Sequence, residues 1–293
     1  MPELPEVETI RRGLKRLIIH KTIVSVDFDA PKSFPNPKED VNRFLIGSRV
    51  EAIKRRGKAL IITLDSNYTI VIHLKMTGQL VFDGNRQHFG AGHPNDSLIA
   101  KLPDKSTRVT IMFQDGSKLF FNDQRKFGWM KLMPKTLVDE MDFFKKLGPE
   151  PLEADFTWQK LKTRLARRKK TSIKAALLDQ TVVAGIGNIY ADESLWGAKL
   201  NPATPVGTLT DKNYRDLFLS IREILKLSLD KGGSTDRNYV DAEGKKGSYL
   251  EFARVFRREG QLCPRCQSEI QKTRVAGRGT HYCPRCQKQP KII

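Results

Sequence analysis

Apolar residues near the start of the chain follow two different periods. Val7, Ile10, Leu14 and Leu17 recur at the three- and four-residue spacing of an amphipathic helix. Short runs of β-branched and aromatic residues follow, separated by turn sequences such as "DSN" and "QDGS". Many short strands at this spacing are typical of a sandwich or barrel. The pattern predicts strands at 22–28, 58–64, 69–75, 108–113 and 118–121.

The apolar period becomes helical after "LGPEP" at 147–151. The clearest helical stretches are "SIKAALLDQ" and "LFLSIREILKLSL", and the glycines of "KGG" end the second. A polar segment with glycines, at about 232–249, is predicted to be a mobile loop. We therefore expect an α+β multidomain protein. Its predicted parts are an N-terminal β-sandwich domain with a helix at 1–134, a linker at 135–152, a helical domain at 153–257 and a cysteine-containing unit at 258–293.

The charge balance narrows the class of partner. The 293 residues include 52 Lys and Arg against 33 Asp and Glu, a formal net charge of +19. Such a surplus indicates a polyanion partner, most often nucleic acid. No apolar run approaches the ~20 residues of a membrane span, and the acidic N-terminus lacks the basic region of a signal peptide. We expect a cytosolic protein with no membrane partner.

Four cysteines form two C-x2-C pairs separated by sixteen residues. Each pair can place two thiolates on one Zn²⁺, and the intervening segment is long enough for a β-hairpin. Two redox-active pairs are the alternative, although the βαβ context that they require is absent. Because four thiolates leave no position for water, we expect one structural Zn²⁺ and a basic hairpin tip, "RVAGRGT", that reaches a phosphate backbone. The predicted ligands are Cys263, Cys266, Cys283 and Cys286.

Two glycines precede Asn188 in "AGIGNIYADESLW", and a helical pattern follows. Asn188 can cap this helix, and the free N–H groups of a helix start can bind an anion. An ordinary helix cap and a phosphate contact both remain open. The positive net charge of the chain favours the phosphate contact.

The N-terminal sequence "MPELPEVET" combines a helix start with possible chemistry. Pro5, Glu6 and Glu8 suit the first turn of a helix, but this leaves Pro2 and Glu3 without a structural reason. Removal of the initiator Met1 would expose the secondary amine of Pro2. An α-amino group has a pKa near 8, so roughly a tenth of it is unprotonated at neutral pH. Such an amine can attack a sugar carbon and form an iminium, while Glu3 moves protons.

Five stretches in order along nearly the whole chain resemble the formamidopyrimidine-DNA glycosylase family of bacteria. They are "PELPEVET", "RRGKALI", "NDQRKFG", "AGIGNIYADESLW" and "AGRGTHYCPRCQ". The resemblance implies a β-sandwich, a helix–two-turn–helix domain and a C-terminal zinc finger, with damaged double-stranded DNA in the cleft between the two domains. It implies a bifunctional DNA glycosylase and AP lyase of base-excision repair, a monomer of the bacterial cytosol or nucleoid. The substrate is a flipped oxidised purine, either 8-oxoguanine or a formamidopyrimidine.

The resemblance also implies residue roles. Pro2 is the Schiff-base nucleophile, Glu3 the acid that protonates the sugar or leaving group, and Glu6 a second carboxylate of that site. Lys58 transfers protons in β-elimination, and Arg278 is tied to δ-elimination. For Lys58 the alternative is a surface lysine on a strand, and for Met76 and Phe127 it is core packing. The implied DNA contacts are His73, Met76, Arg108, Arg125, Phe127, Lys169 and Asn188, of which Met76, Arg125 and Phe127 fill the gap left by the flipped base and face the orphan cytosine.

Two stretches depart from the family pattern. The family has His-Asp-His just before the strand that begins here at Val109, whereas this chain has Ser106, Thr107 and Arg108. We expect Arg108 or Lys105 to replace the missing histidine contact. The segment 85–104 is longer than usual and is expected to be an altered surface loop.

Two other functions compete with this hypothesis. An endonuclease VIII-type glycosylase for oxidised pyrimidines shares the proline–glutamate start and the zinc finger, but it begins Pro-Glu-Gly-Pro and lacks "RKFG". A non-catalytic zinc-ribbon DNA-binding paralogue would have lost the reactive side chains. Pro2, Glu3 and Lys58 are all present, which favours the purine-specific enzyme.

Overall fold

The computed structural model describes residues 1–29, 31–85, 87–93, 95–234 and 248–289. The chain divides into two compact units. The first contains Met1–Lys145 and Lys231–Ser248, and the second contains Lys146–Asp230 and Tyr249–Ile293. Most of the loop predicted at about 232–249 lies outside the described residues.

Two antiparallel sheets form the first unit, which confirms the predicted β-sandwich. The strand order is β1-β7-β8-β5-β6 in one sheet and β2-β3-β4-β9 in the other. Apolar side chains from both sheets form one core. The strands are β1 Ile23–Phe28, β2 Val50–Arg56, β3 Ala59–Leu64, β4 Tyr68–His73, β5 Gly78–Gly84, β6 Gln87–Gly92, β7 Thr107–Phe113, β8 Lys118–Asp123 and β9 Trp129–Pro134.

Helix α1 (Leu4–Ile18) packs its apolar face into this core. It contacts strands of both sheets, β2 and β3 on one side and β5 and β6 on the other. Gly13 permits the contact with β6, because a Cβ atom there would lie 2.4 Å from the ring of Phe89. The amphipathic period of the sequence thus correctly predicts the helix and its buried face. Two short helices, α2 (Lys38–Asp40) and α3 (Asp142–Lys145), complete the described helices of this unit.

Segment 85–104 is only partly a loop, so the expectation of a surface loop was wrong for its first half. Residues 87–92 form β6, the edge strand that pairs with β5, and Asp96–Leu98 form a single 3-10 turn. The glycines of "HFGAG" conceal the alternation of a strand in the sequence. Phe89 and Ala91 nevertheless lie in the core.

The second unit combines five helices with a hairpin within its described residues. Helix α6 packs against α5, α7 and the hairpin strand β11. Because α6 is enclosed by these elements, even its polar residues Asp192 and Glu193 are buried. The elements are α4 Trp158–Leu165, α5 Ile173–Leu178, α6 Asn188–Gly197, α7 Asp211–Asp230, α8 Tyr249–Phe252, β10 Gln271–Val275 and β11 Arg278–Tyr282.

The described part of the chain offers no helix with the length and apolar character needed to cross a membrane.

Candidate active site, metal centre and nucleic-acid interface

The first residues of the chain are held inside the first unit. Pro2 is buried, and Glu3 is only 3% exposed. The backbone N–H of Glu3 donates to Oε2 of Glu6 at 2.8 Å. Oε1 of Glu6 accepts two further hydrogen bonds at 2.8 Å, from the backbone N–H and the hydroxyl of Ser234. Glu6 therefore joins the start of α1 to the segment that follows Lys231.

Lys58 lies in the tight turn between β2 and β3 and is only 5% exposed. It is therefore not the solvent-exposed strand lysine of the alternative interpretation. Arg55 supports the turn, since its Nη1 donates to the carbonyl oxygen of Gly57 at 2.8 Å. Gly57 has a φ of +57°, in the left-handed region that favours glycine.

A carboxylate on α1 fixes Arg55 in turn. Oε2 of Glu8 lies 3.4 Å from Nε of Arg55, and Oε1 lies 2.7 Å from Nη2 of Arg11. Burial alone would raise the pKa of Glu8, but the hydrogen bond and charge of Arg11 and the charge of Arg55 outweigh it and lower that pKa. The ionised carboxylate thus connects α1 to the β2–β3 turn that carries Lys58.

His73 lies beside Lys58, because Ala59 and His73 are partners in the β3–β4 ladder. The histidine is only 6% exposed, and its ring meets Phe143 edge-on at a centroid distance of 5.3 Å. Its Nδ1 accepts a hydrogen bond from the backbone N–H of Lys75 at 3.0 Å. Burial, followed by the charges of Lys75 and Lys58, lowers the pKa of His73 to about 3. The side chain is neutral at physiological pH, and its predicted DNA contact stays a prediction.

Asp123, at the end of β8, organises two neighbouring turns. Its carboxylate accepts hydrogen bonds from the hydroxyl of Thr77, from the backbone N–H of Arg125 at 3.2 Å and from that of Gly128 at 2.6 Å. The Thr77 hydroxyl also accepts from the Arg125 N–H at 3.2 Å. The turn before β5 and the turn after β8 are therefore held against each other.

These two turns present apolar and cationic groups to solvent. Met76 is 36% exposed and Phe127 is 53% exposed, so the alternative of core packing does not apply to them. The guanidinium carbon of Arg125 lies 4.7 Å from the centroid of the Phe127 ring. Two exposed apolar side chains and a stacked arginine suit the replacement of a base in a DNA stack and the recognition of a base edge.

The four cysteines of the second unit form a metal centre. All four sulfur atoms lie within 4.8 Å of one another, with Cys263 and Cys286 4.0 Å apart and Cys266 and Cys283 3.4 Å apart. Bonds of about 2.3 Å in a tetrahedral Zn²⁺ site place sulfur atoms about 3.8 Å apart. The donor set therefore fits one structural Zn²⁺, as predicted. The indole N–H of Trp196 donates to Sγ of Cys263 at 3.4 Å.

The hairpin tip is a tight turn that exposes Arg278. Ala276 and Gly277 have φ values of +49° and +74°, the signs required by a two-residue hairpin turn. Arg278 follows them at the exposed start of β11. The hairpin thus places a cation at its tip, as the sequence predicts.

A buried ion pair anchors this hairpin to the helices. Nζ of Lys174 lies 2.7 Å from Oδ1 of Asp192, and both side chains are fully buried. Lys174 also donates to the carbonyl oxygen of Gly279 at 2.9 Å and to the hydroxyl of Thr280 at 2.8 Å. The other carboxylate oxygen of Asp192 accepts from the backbone N–H of His281 at 2.9 Å. Sequence reasoning missed this pair, although a lysine inside the apolar helix "SIKAALL" was a signal.

Asn188 does not cap α6, so that part of the sequence interpretation was wrong. Gly187 is the N-cap, and Asn188 is the first helical residue. Its Nδ2 donates to the carbonyl oxygen of Gly279 at 3.1 Å, next to Arg278. Within the described residues, its buried Oδ1 has no hydrogen-bond partner. Lys169 is exposed, and its carbonyl oxygen accepts from the N–H of Gly207 at 2.9 Å.

The residues that replace the family His-Asp-His sequence are engaged within the protein. Arg108 is buried and donates to the carbonyl oxygens of Asp123 at 2.9 Å and Lys105 at 2.6 Å, and to the Asp29 carboxylate. Ser106 is also buried, and its hydroxyl donates to Oδ1 of Asp104 at 2.7 Å. The guanidinium of Arg108 thus already binds three oxygen atoms of the protein. A DNA contact through Arg108 stays a prediction.

Comparison with known proteins gives the chain its family. Three family models match in succession: "Formamidopyrimidine-DNA glycosylase N-terminal domain" at 1–130, "Formamidopyrimidine-DNA glycosylase H2TH domain" at 147–239, and "Zinc finger found in FPG and IleRS" at 260–289. The formamidopyrimidine-DNA glycosylase of Pelotomaculum thermopropionicum is 40% identical over 278 residues, which cover 94% of this chain and 95% of that protein. The chain belongs to the formamidopyrimidine-DNA glycosylase family. The enzyme of that name from Streptococcus pneumoniae R6 is 42% identical over 278 residues, 94% of this chain and 95% of that protein.

Solved structures of the family agree with the fold. A complex of Lactococcus lactis Fpg with DNA containing an abasic site has a TM-score of 0.86 and 36% identity. A complex of the wild-type L. lactis protein with N7-benzyl-Fapy-dG DNA gives the same two values. Each comparison covers 98% of this chain and all of that chain. The formamidopyrimidine-DNA glycosylase fold thus extends over both units described above.

Proposed function

We propose that this protein is a bifunctional DNA glycosylase and AP lyase that removes oxidised purines from duplex DNA. It acts as a monomer in the bacterial cytosol or nucleoid. The observation that carries the proposal is the start of α1, where Pro2 and Glu3 are buried and the backbone N–H of Glu3 donates to Glu6. The DNA in the L. lactis complexes, which contains an abasic site or a Fapy-dG derivative, supports the substrate class.

The first step in this proposal uses the secondary amine of Pro2 after Met1 has been removed. The amine nitrogen attacks C1′ of the damaged nucleotide, and the oxidised purine leaves with the electrons of the glycosidic bond. The attached nitrogen then gives up its proton to solvent, and its lone pair forms a double bond to C1′ as the C1′–O4′ bond breaks. Glu3 donates a proton to the departing ring oxygen, which leaves an iminium between Pro2 and C1′.

The iminium is an electron sink that permits strand cleavage. Removal of a proton from C2′ expels the 3′ phosphate, and a second elimination expels the 5′ phosphate. Lys58 transfers protons in the first elimination. Its buried position beside the neutral imidazole of His73 supports this role. Arg278 contacts phosphate in the second elimination.

DNA contacts come from each unit separately in this proposal. The exposed Met76 and Phe127 replace the flipped base in the stack, and Arg125 reads the opposite cytosine. In the second unit, Lys169, Asn188 and Arg278 contact phosphates. When bound, zinc holds the hairpin that carries Arg278 and takes part in no bond-making step, because all four of its positions are filled by cysteine.

Borohydride trapping tests the proposal directly. The protein, with loss of Met1 verified by mass spectrometry, is incubated with an 8-oxoguanine·cytosine duplex and borohydride, and the cross-linked peptide is mapped. We expect a covalent adduct on Pro2. Pro2→Gly should lower base excision by at least about a hundredfold, in line with the loss of a catalytic nucleophile, while the Kd for DNA stays within a few-fold.

A matched pair of carboxylate variants serves as the control. Glu3→Gln removes the proposed acid, whereas Glu39→Gln changes an exposed carboxylate of α2. Only the first should slow base release. The proposal fails if the wild-type protein binds the duplex without forming an adduct, or if the adduct forms only with an oxidised pyrimidine.

A further inference from the structure

His93 is a titratable residue that the proposed mechanism leaves unused. It follows β6 directly, in the segment where this chain departs from the family pattern. Its side chain is partly exposed. Within the described residues, neither ring nitrogen of His93 makes a hydrogen bond, whereas the neighbouring histidine of β6, His88, bonds through Nε2 to the carbonyl oxygen of Leu98 at 2.9 Å.

Strand register places His93 level with Gly78 and Asp123, which border the two exposed turns. Gly92 is opposite Gln79, and Gln79 is opposite Asn122, across the three adjacent strands β6, β5 and β8. His93, Gly78 and Asp123 each lie one residue beyond this row. Since neighbouring strands are about 4.8 Å apart, the backbones of His93 and Asp123 are about 10 Å apart. His93 therefore lies at the same end of this sheet as Met76, Arg125 and Phe127.

Helix α1 brings the N-terminus to the same end of the sheet. Gly13 meets Phe89, a residue of β6. From that contact, Glu3 lies about 15 Å back along the helix, and His93 lies about 13 Å on along the strand. Partial burial and the positive charge of the N-terminus lower the pKa of His93, and Asp123 opposes them. The pKa of the imidazole thus depends on both the N-terminal charge and the carboxylate of Asp123.

The backbone around His93 is rigidly held. Its N–H donates to the carbonyl oxygen of Gly78 at 3.1 Å, and its own carbonyl accepts from the side-chain amide of Gln79. The same amide donates to Oδ1 of Asn95 at 2.7 Å. Gln79 is fully buried. Gly92 has a φ of +130°, and a Cβ there would lie 2.4 Å from the Gly78 oxygen, so only glycine permits this approach. The network therefore fixes the backbone position from which the imidazole extends.

We propose that His93 binds a backbone phosphate of the damaged strand beside the N-terminal amine, and that the imidazole takes up a proton as the phosphate binds. A cationic imidazole and a phosphate oxygen form a charge-assisted hydrogen bond. Ser106 and Arg108, which stand where the family has histidines, already hold oxygen atoms of the protein. His93 has both ring nitrogens available for DNA.

Two charged groups act on the pKa of His93 in the free protein: the N-terminus lowers it and Asp123 raises it. The other charged residues of the neighbouring segments are Glu3, Lys75, Asp96 and Arg125. In the free protein, partial burial and the charge of the N-terminus lower the pKa of His93 and so favour the neutral imidazole. A phosphate favours the charged form and raises that pKa. Affinity for DNA should therefore increase as the pH falls from 8 to 6.

The test measures DNA affinity against pH. This inference rests on the proposed function, so the ligand is a duplex with a tetrahydrofuran abasic-site analogue, which binds but cannot react. Between pH 8 and pH 6 at fixed ionic strength, we expect the Kd of the wild-type protein to fall roughly five-fold more than that of His93→Gln. His93→Lys, whose charge does not titrate in this range, should bind tightly throughout. His88→Gln, on the strand that precedes His93, should match the wild type.

Salt dependence gives a second readout that a structural role would not change. At pH 6 the slope of log K against log salt should be smaller for His93→Gln by about 0.9, the value of one phosphate contact. Identical pH profiles and salt slopes for wild type and His93→Gln would overturn the proposal, provided that the thermal melts agree. Borohydride trapping on Pro2 is measured on the same proteins. Absence of trapping in the wild type counts against the glycosylase function, whereas a normal adduct with a flat pH profile counts against His93 alone.

Discussion

Asp123 is a buried residue that fixes the two exposed turns which carry Met76 and Phe127. Its two carboxylate oxygens bind one hydroxyl and two backbone N–H groups. An ionised carboxylate makes stronger hydrogen bonds to N–H and O–H donors than a neutral side chain in the same place would make. The position of Arg125 and the aromatic ring stacked on it therefore depends on a side chain that is itself buried.

Buried His73 should make the protein sensitive to acid. Its pKa is about 3 in the folded state against 6.5 for an ordinary histidine. As the pH falls below 6.5, the unfolded chain binds a proton that the folded chain does not bind. The free energy of unfolding therefore decreases. The wild type should lose about 1.4 kcal/mol per pH unit more than His73→Asn between pH 6 and pH 4. Urea unfolding at several pH values measures this difference.

An exposed histidine provides the control for this titration. His20 has a φ of +66°, a conformation that asparagine tolerates well. His20→Asn should follow the wild-type pH dependence. Parallel stability curves for wild type and His73→Asn would show that the buried imidazole is not responsible for the acid sensitivity.

At the scale of elements, helix α6 serves as the support of the zinc hairpin. Asp192 and Glu193 are adjacent, and both are buried. Asp192 holds β11 through Lys174, while Glu193 accepts from the backbone N–H groups of Arg254, Val255 and Phe256. Burial raises the pKa of Glu193, against the effect of these N–H groups. One helix thus positions both the approach to the hairpin and the hairpin itself.

Breaking the buried pair on this helix should be costly. Lys174→Met keeps the volume of the side chain but leaves the Asp192 carboxylate buried without its partner, which costs about 3–5 kcal/mol. Thermal unfolding should show the loss, and amide exchange should become faster at Gly279 and Thr280. Lys174→Met combined with Asp192→Asn should recover part of the stability.

A surface pair calibrates the measurement. Lys212 and Asp216 form an exposed ion pair on α7 at 2.6 Å, and exposed pairs of this kind contribute less than about 1 kcal/mol. Lys212→Met should therefore change the melting temperature little. Equal effects of Lys174→Met and Lys212→Met would contradict the anchoring role of the buried pair.

The sequence predicts elements best where one face is uniformly apolar. Helix α1 and strand β3 follow clear periods, whereas β2 ("VEAIKRR") and β6 ("QHFGAG") carry charged residues or glycines and were missed. Contacts between distant residues leave no local pattern. The bond between Glu6 and Ser234 joins positions 228 residues apart. The cysteine spacing, in contrast, is a local pattern that is typical of a tetrahedral zinc site. The metal centre was therefore predicted correctly.

On the scale of the whole molecule, the positive charge is distributed over both units. The net charge of +19 supports binding to a phosphate backbone. The catalytic residues proposed at the N-terminus belong to the first unit, and the zinc hairpin belongs to the second. Chemistry and part of the DNA affinity are therefore separable by experiment.

Zinc removal should affect DNA binding before it affects the amine chemistry. A chelator that strips the four cysteines releases the hairpin that carries Arg278, since such small metal sites fold with their metal. We expect the Kd for damaged DNA to rise at least about tenfold, with the far-ultraviolet circular dichroism of the β-sandwich largely retained. Colorimetric assay of the released zinc verifies its removal. Unchanged binding by zinc-free protein would refute the role of the hairpin.

Trp196 lies between the metal centre and two arginines. Its indole N–H bonds to Cys263, and the guanidinium carbon of Arg265 stacks 3.8 Å from its ring centroid, with that of Arg254 at 5.4 Å. In optical terms, the protein carries a fluorophore in direct contact with a zinc ligand. Loss of the ion would change the emission of this indole without any added dye. Metal loading could thus be followed in real time, with Trp196→Phe as the reference that reports only Trp129 and Trp158.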